Sequence, residues 1–183
     1  MARGKTHIVR HRRRRNGKTD YRLRLGVLKS GKPRLVVRKS SKNISCQIIS
    51  YDPKGDRVVA HADSRNLKGY GWNGHCGNVP AAYLTGMLCG TKAKASVKEA
   101  VADLGLYASV KGSRLYAAIR GVSDAGISVP HSEDVMPPKD RIEGKHTANS
   151  EKTEKEFRAA KEKIASGKPE KPQKAKPGKE DKR

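Results

Sequence analysis

The chain has 183 residues, of which 41 are Lys or Arg and 18 are Asp or Glu, so its formal net charge is +23. That length allows one ordinary domain with tails, and a hydrophobic content of 34% allows only a modest core. The charge favours nucleic acid as partner, with an anionic membrane surface second, while an aromatic content of 4% argues against a continuous base-stacking platform.

The cysteines are odd in number and widely spaced, at Cys46, Cys76 and Cys89. This spacing indicates free thiols in a reducing compartment and not a disulfide scaffold. The sequence also shows no apolar leader and no long apolar run. We therefore expect a soluble, cytoplasmic protein that does not enter a membrane.

Residues 1–24 form a basic arm with ten cations and one acid, Asp20. Such a block repels itself, so we expect it to be disordered without a polyanion. The run Arg12 to Arg15 suits phosphate binding, although a nuclear localisation signal or a solubilising tail would have the same composition. Tyr21 would either stack on a base or cover a sheet edge. The candidate contacts in the arm are Arg10, Arg12, Arg13, Arg14, Arg15, Lys18, Tyr21, Arg22 and Arg24.

Three strands are predicted next. Leu23, Leu25 and Val27 alternate with other residues, which suggests a short edge strand or an extended segment before them. Residues 34–49 contain two β-branched runs around a polar turn, and a third run lies within residues 55–62. The hairpin turn carries three cations that would face an anionic partner at one end of a sheet. These are Arg38, Lys39 and Lys42.

The glycine-rich loop at residues 63–77 holds Trp72, the single tryptophan. Its glycine spacing matches neither a dinucleotide fingerprint nor a P-loop. Trp72 either contacts RNA from this loop or fills the edge of the core, and our interpretation leans to the RNA contact.

Two helices and another strand are predicted after this loop. Asn78 reads as a helix N-cap followed by Pro80, and the apolar residues 81–89 indicate a buried crossover helix. Gly86 within that helix suggests a close approach of another backbone. Residues 100–104 read as a short strand, and Leu115, Ala118, Ile119 and Val122 form the apolar stripe of a second helix.

These elements predict an α/β fold with a mixed sheet covered by helices. A capping box at Thr153 to Glu156 predicts a C-terminal helix that ends near Ala165, followed by a disordered basic tail. The predicted organisation is an RNA-binding arm at residues 1–24, an α/β domain at 25–147, and a C-terminal helix with a tail at 148–183.

We find no catalytic or metal-binding pattern. His75 and Cys76 are adjacent but lack the context of a nucleophile, and the cysteines and histidines do not have the spacing of zinc ligands. A metal-dependent nuclease of the ribonuclease H type would need converging carboxylates, for which Asp63, Asp103 and Asp124 are the available candidates. We expect no catalysis, no metal, no cofactor and no small-molecule substrate.

Several motifs resemble the archaeal and eukaryotic form of the large-subunit ribosomal protein L-eighteen family. They lie in order along most of residues 17–146, namely 17–21, 33–40, Asn43, Ile44, Gln47, 77–86, 103–106, 121–131, 141–144 and His146. The resemblance implies a ribonuclease-H-like topology without catalysis. It also implies binding to 5S rRNA at the central protuberance, contact with the large-subunit rRNA, and a neighbouring 5S-binding ribosomal protein.

Carried over onto matching positions, the resemblance adds RNA contacts to those read from charge. They are Lys18, Tyr21, Arg34, Arg38, Lys39, Ser40 and Asn43, with Asn78 at the helix entry. A general nucleic-acid-packaging protein, which would bind duplex DNA and 5S rRNA alike, remains the alternative of another class.

Overall fold

A four-stranded mixed sheet organises the protein, whose computed structural model describes residues 8–147 and 149–167. The strands are β1 (Arg34–Lys39), β2 (Ile44–Ser50), β3 (Arg57–Asp63) and β4 (Val101–Asp103). Their spatial order is β3-β2-β1-β4, with β1 antiparallel to β2, β2 antiparallel to β3, and β1 parallel to β4. The prediction of an α/β fold with a mixed sheet is confirmed.

Six α-helices lie in the described ranges. They are α1 (Arg12–Arg15), α2 (Tyr21–Leu28), α3 (Val79–Ala93), α4 (Arg114–Asp124), α5 (Lys139–Glu143) and α6 (Ser150–Ala165). A 3-10 turn spans Ser64–Tyr70 and a shorter one spans Glu133–Val135. None of the described helices is long and apolar enough to cross a bilayer.

The hairpin forms as its β-branched runs predict. Arg34 pairs with Ile49 and Lys39 pairs with Ile44, so the turn comprises residues 40–43. The turn is closed by a hydrogen bond of 2.8 Å from Ser40 N to Asn43 O. The turn cations therefore sit at the end of two rigidly paired strands.

The core lies between one face of the sheet and the helices α3 and α4. Leu35 and Val37 alternate along β1 and belong to the buried cluster, as do Ile44, Cys46 and Ile48 along β2. This period of two assigns these residues to the helix-covered face. Arg34, Val36 and Arg38 consequently point to the opposite face, which we call the open face.

Helices α3 and α4 approach so closely that glycine is required at their crossing. An added Cβ at Gly86 would lie 2.0 Å from Ala118 O, and one at Gly121 would lie 2.1 Å from Tyr83 O. The prediction that Gly86 permits a close backbone approach is confirmed, and Gly121 is its counterpart on the other helix. The helix crossing depends on both positions remaining free of side-chain atoms.

The C-terminal helix ends where predicted but starts earlier. Helix α6 begins at Ser150, so the predicted capping box at Thr153 is wrong. Thr153 lies inside the helix, where its hydroxyl donates to Asn149 O at 2.9 Å. A threonine in this position bonds back to the preceding turn and does not cap. Phe157, Ala160 and Ile164 form the buried stripe of α6.

The arm is also more ordered than its charge suggests. The alternation of Leu23, Leu25 and Val27 predicted an extended segment, which is wrong, because these residues lie in helix α2. Asp20 caps this helix by accepting from Arg22 N at 2.8 Å. Leu23 and Leu25 are 59% and 56% exposed. Their alternation in the sequence therefore does not correspond to a buried face of a strand. Residues 1–7 of the arm and the predicted tail from 168 onward lie outside the described residues.

Candidate nucleic-acid interface

The open face of the sheet meets helix α2 across a network of four ion pairs. Arg24 on α2 contacts Asp56 at 2.8 Å, and Arg34 on β1 contacts the same carboxylate at 2.7 Å. Arg34 also contacts Asp103 on β4 at 3.1 Å, and Arg38 contacts Asp103 at 2.9 Å. The network thus joins α2 to β1, to β4 and to the loop before β3. It therefore fixes the point at which the basic arm leaves the folded core.

Arg34 is the buried centre of this network and not a surface contact. It is 4% exposed, and its guanidinium pairs with the two carboxylates, Asp56 and Asp103. A charge this deep must be paired to be tolerated. Arg34 is therefore not the exposed cation that its place in the strand suggests, because sequence pattern alone does not show which strand cation meets an acid. Its predicted RNA contact remains a prediction.

Trp72 is likewise buried, at 0% exposure within the core cluster. Its backbone N–H donates to Leu67 O at 3.1 Å, which folds the loop back after the 3-10 turn. The interpretation that placed Trp72 against RNA is wrong, and the alternative, that it fills the core, is confirmed. In a small core the burial of a large ring is a major source of stability.

The remaining arm cations are available to a partner. In the described part of the arm, seven cations are exposed and have no ion pair, namely Arg10, Arg12, Arg13, Arg14, Arg15, Lys18 and Arg22. Arg13 Nε donates to Thr19 Oγ1 at 2.8 Å, which ties the first helical turn to the entry of α2. Tyr21 is half-buried, with its ring 5.1 Å from that of His11.

The hairpin turn lies beside the entry of helix α3. The backbone of Gly77 packs against the carbonyl of Lys42, and Arg114 Nη1 donates to Gly77 O at 2.6 Å. Lys42 is exposed, while the Lys39 ammonium lies 5.3 Å from the centroid of the Tyr107 ring. The turn, the loop before α3 and Arg114 thus form one surface, which we call the turn surface.

Arg114 lies off the apolar stripe of α4, a position that is typical of a solvated helix face. The structure shows it half-buried and bonded to the loop, so it is a missed member of the turn surface. A lone cation off an apolar stripe gives no signal of such a contact in the sequence.

The polar residues of the turn surface have structural partners of their own. Ser40 Oγ accepts from Asn43 N at 2.9 Å, and Asn43 Oδ1 accepts from Ser64 Oγ at 3.4 Å. Asn78 caps α3, as predicted, by accepting from Ala81 N at 2.9 Å. These bonds orient the turn and the helix entry, and their predicted RNA contacts remain predictions.

Positive charge is concentrated on one part of the fold. Residues 8–119 contain 23 Lys or Arg against six Asp or Glu, whereas residues 120–167 contain nine of each. The arm, the sheet and α3 thus carry the surplus, and the part containing α5 and α6 is balanced. The field of the protein would orient an anionic partner toward the arm and the sheet.

The carboxylates considered for a nuclease do not converge. Asp63 contacts Arg65, Asp103 contacts the two arginines of β1, and Asp124 accepts from Tyr83 Oη at 2.7 Å. Burial pushes the pKa of Asp63 upward, but hydrogen bonds from Arg65 hold it below its ordinary value. Across the described ranges, no three His, Cys, Asp or Glu side chains are grouped to hold a metal ion.

The thiols are poorly suited to nucleophilic chemistry. Burial raises the pKa of the Cys46 thiol well above its ordinary value and that of Cys89 to about 11. Both therefore remain protonated at neutral pH, and the thiolate is the reactive form. Next to Cys76, the Nδ1 of His75 accepts a hydrogen bond from Gly77 N at 3.0 Å. This ring nitrogen therefore stabilises the loop and is not hydrogen-bonded to the thiol.

Replacing Arg38 with alanine should reduce stability by about 1–2 kcal/mol, because it removes two hydrogen bonds from β1 to the end of β4 and one within β1. Arg38 Nη1 donates to Asp103 O at 2.6 Å and to Val37 O at 2.9 Å, and Nη2 donates to Asp103 Oδ1 at 2.9 Å. Urea denaturation would measure the loss. Arg65→Ala, which removes an ion pair whose arginine is 72% exposed, is the control and should shift the midpoint much less. Equal midpoints for the two variants would contradict a structural role for Arg38.

Comparison with known proteins identifies relatives over most of the chain. A family model described as "Ribosomal large subunit proteins 60S L5, and 50S L18" matches residues 5–100. The large ribosomal subunit protein uL18 of Korarchaeum cryptofilum is 53% identical over 158 residues, which cover 85% of this chain and 81% of that protein. The protein of the same name from Methanococcus maripaludis is 50% identical over 157 residues, with the same coverage of both chains.

Proposed function

The chain belongs to the uL18 family of large ribosomal subunit proteins, and we propose that it binds 5S rRNA and helps to attach it to the large-subunit rRNA at the central protuberance. In this proposal the protein is a non-catalytic constituent of the cytoplasmic ribosome. It uses no cofactor, metal or small-molecule substrate.

The observation that carries the proposal is the set of unpaired cations on the arm, held next to a rigid sheet. Folded RNA is bound mainly through phosphates, 2′-hydroxyls and shape, because the major groove of an A-form helix is too narrow to read. Arginine provides planar donor forks for phosphate, and lysine provides point charges. The exposed run Arg12 to Arg15 has this chemistry.

The arm and the turn surface would play different parts. The ion pair between Arg24 and Asp56 anchors α2, so the cations before it project from a fixed point. Lys39, Ser40, Lys42 and Asn43 lie on a hairpin whose hydrogen bonds fix its shape. We propose that the hairpin sets the register on 5S rRNA and that the arm adds most of the electrostatic affinity, with Asn78 at the edge of the same contact.

The balanced charge of residues 120–167 suits a protein neighbour better than RNA. We propose that this part faces the other 5S-binding ribosomal protein. The domain organisation remains the one predicted, with an arm at 1–24, an α/β domain at 25–147 and a C-terminal segment at 148–183. Helix α2 runs across the first of these boundaries and couples the arm to the domain.

The strand order β3-β2-β1-β4, with β4 parallel to β1, supports a ribonuclease-H-like topology as part of the proposal. The separate partners of Asp63, Asp103 and Asp124 support binding without cleavage. Incubation with labelled duplex in the presence and absence of magnesium should leave the nucleic acid intact. Magnesium-dependent fragments would contradict this part of the proposal.

Filter binding with labelled 5S rRNA tests the central claim. We expect tight binding that unlabelled 5S rRNA displaces at a concentration at least about a hundredfold lower than duplex DNA does, since specific complexes exceed non-specific ones by at least that margin. Equal competition by the two would favour the general packaging protein. No retention of 5S rRNA at moderate ionic strength would contradict the proposal altogether.

A further inference from the structure

A cavity of about 520 Å³ lies between helix α2 and the open face of the sheet. Leu23 and Val27 of α2 form one wall, and Val36, Gln47, Ile49 and Leu104 from the sheet side form another. These walls are mainly apolar, and the volume is that of a small-ligand site. The cavity is separate from the exposed cations of Arg12, Arg14 and Arg15 that carry the proposed phosphate contacts.

The charges around the cavity divide into a neutralised floor and a positive rim. Arg24, Arg34 and Arg38 line it but are paired with Asp56 and Asp103. Arg13, Lys18 and Asp20 also line it. The two cations form no ion pair with any described residue, and the Asp20 carboxylate caps α2, so the rim carries two cations against one acid. A neutral group with hydrogen-bonding atoms suits the floor, whereas an anionic group suits the rim.

One donor in the floor lacks a partner. Arg34 is 96% buried, and its Nε has no hydrogen-bond acceptor among the described residues, although both terminal nitrogens are paired. A buried donor without an acceptor is costly, and native structures rarely leave one so. An acceptor supplied by a ligand in the cavity would satisfy it.

We propose that this cavity receives one unstacked nucleotide of the bound RNA, with its base against the floor and its phosphate at Arg13 and Lys18. The base is uracil or guanine, whose O4 or O6 carbonyl lies on the edge away from the sugar, whereas the carbonyl of cytosine lies beside the sugar. The inference rests on the proposed function, since it needs a bound RNA. Single-stranded or bulged nucleotides are the parts of a folded RNA whose bases can be turned out in this way. The apolar walls take the faces of the base, a carbonyl oxygen accepts from Arg34 Nε, and the rim cations meet the backbone.

A matched pair of variants tests the cavity. Gln47 lines it, and His61, its direct partner across β2 and β3 on the same face of the sheet, does not. Gln47→Trp fills the space without changing any charge, and His61→Trp adds the same side chain beside it. We expect Gln47→Trp to weaken 5S rRNA binding about tenfold, in the range found for loss of one base contact, and His61→Trp to bind like the wild type.

Nucleotide-resolved probing with a carbodiimide that modifies unpaired uracil and guanine gives the local readout. The wild type and His61→Trp should share a protein-dependent change at one such nucleotide, which Gln47→Trp should lack. Identical patterns and affinities for all three proteins would overturn the inference while leaving 5S rRNA binding intact. Failure of the wild type to bind 5S rRNA would instead overturn the proposed function and this inference with it.

A second pair removes the dependence on a bulky substitution. Gln47→Glu keeps the size of the side chain and places a negative charge in the cavity, and His61→Glu places the same charge outside it. Thermal melting first confirms that each variant is folded. Weaker binding and loss of the nucleotide-specific change in Gln47→Glu alone would support the cavity as a nucleotide site, and equal behaviour of the two would overturn it.

Discussion

Replacing Gly86 with alanine is expected to lower the free energy of unfolding by about 3 kcal/mol or more, at the upper end of the usual cost of overpacking a core. The added Cβ would lie 2.0 Å from Ala118 O, which is a backbone atom of α4 and has no rotamer to change. Relief requires the two helices to separate, and both pack against the sheet through fully buried side chains such as Leu84 and Leu115. The loss would appear as a lower midpoint in urea denaturation.

The same reasoning applies to Gly121→Ala, whose Cβ would lie 2.1 Å from Tyr83 O. Gly26→Ala provides the control, because Gly26 is inside helix α2 and an added Cβ meets nothing within 4 Å. There the higher helix propensity of alanine should raise stability by up to about 1 kcal/mol. If Gly86→Ala were as stable as Gly26→Ala, the helix crossing described above would be incorrect.

Replacing Arg12, Arg13, Arg14 and Arg15 with alanine should weaken 5S rRNA binding by about 10²–10³-fold near 0.1 M salt. Each phosphate neutralised contributes about 0.7–0.9 to the slope of log K against log salt, so four lost contacts flatten the slope by about three. The reason is that these side chains are exposed and unpaired, and so are free to replace counterions on the RNA. Filter binding over a range of salt concentrations measures affinity and slope together.

The matched control removes four cations from the charge-balanced part of the chain. Lys139, Arg141, Lys152 and Lys155 are exposed on α5 and α6. Their replacement with alanine changes the net charge equally but should leave the slope nearly unchanged. If both quadruple variants flattened the slope by the same amount, net charge and not the arm would govern binding, and the assigned role of the arm would be wrong.

Much of the fold follows from local patterns that tertiary contacts reinforce. The hairpin of β1 and β2 is marked by two β-branched runs around a polar turn, and α3 is marked by the Asn78 cap and Pro80. The stripe Leu115, Ala118, Ile119 and Val122 is buried as its spacing predicts. In each case the residue pattern agrees with the local structure and its burial, so the element can be predicted from the sequence alone.

The errors occur where neighbours distant in sequence decide the outcome. From its neighbours in the sequence, Arg34 is expected at the surface. Asp56 and Asp103, which are 22 and 69 residues away, make its burial possible. Trp72 lies in a polar, glycine-rich loop, but the fold turns its ring into the core. Arg114 lies off an apolar stripe, but the loop before α3 supplies a carbonyl acceptor. No local pattern contains these partners.

The sequence by itself determined that this protein is an α/β domain with a strongly basic arm and that its partner is anionic. Net charge and hydrophobic periodicity can both be read directly from the order of residues along the chain. Only the tertiary structure decided which of the cations are neutralised inside the fold and which remain exposed to RNA. That division depends on how far each guanidinium lies from a carboxylate. Such distances are set when β1, β4 and helix α2 come together and not by any residue's neighbours along the chain.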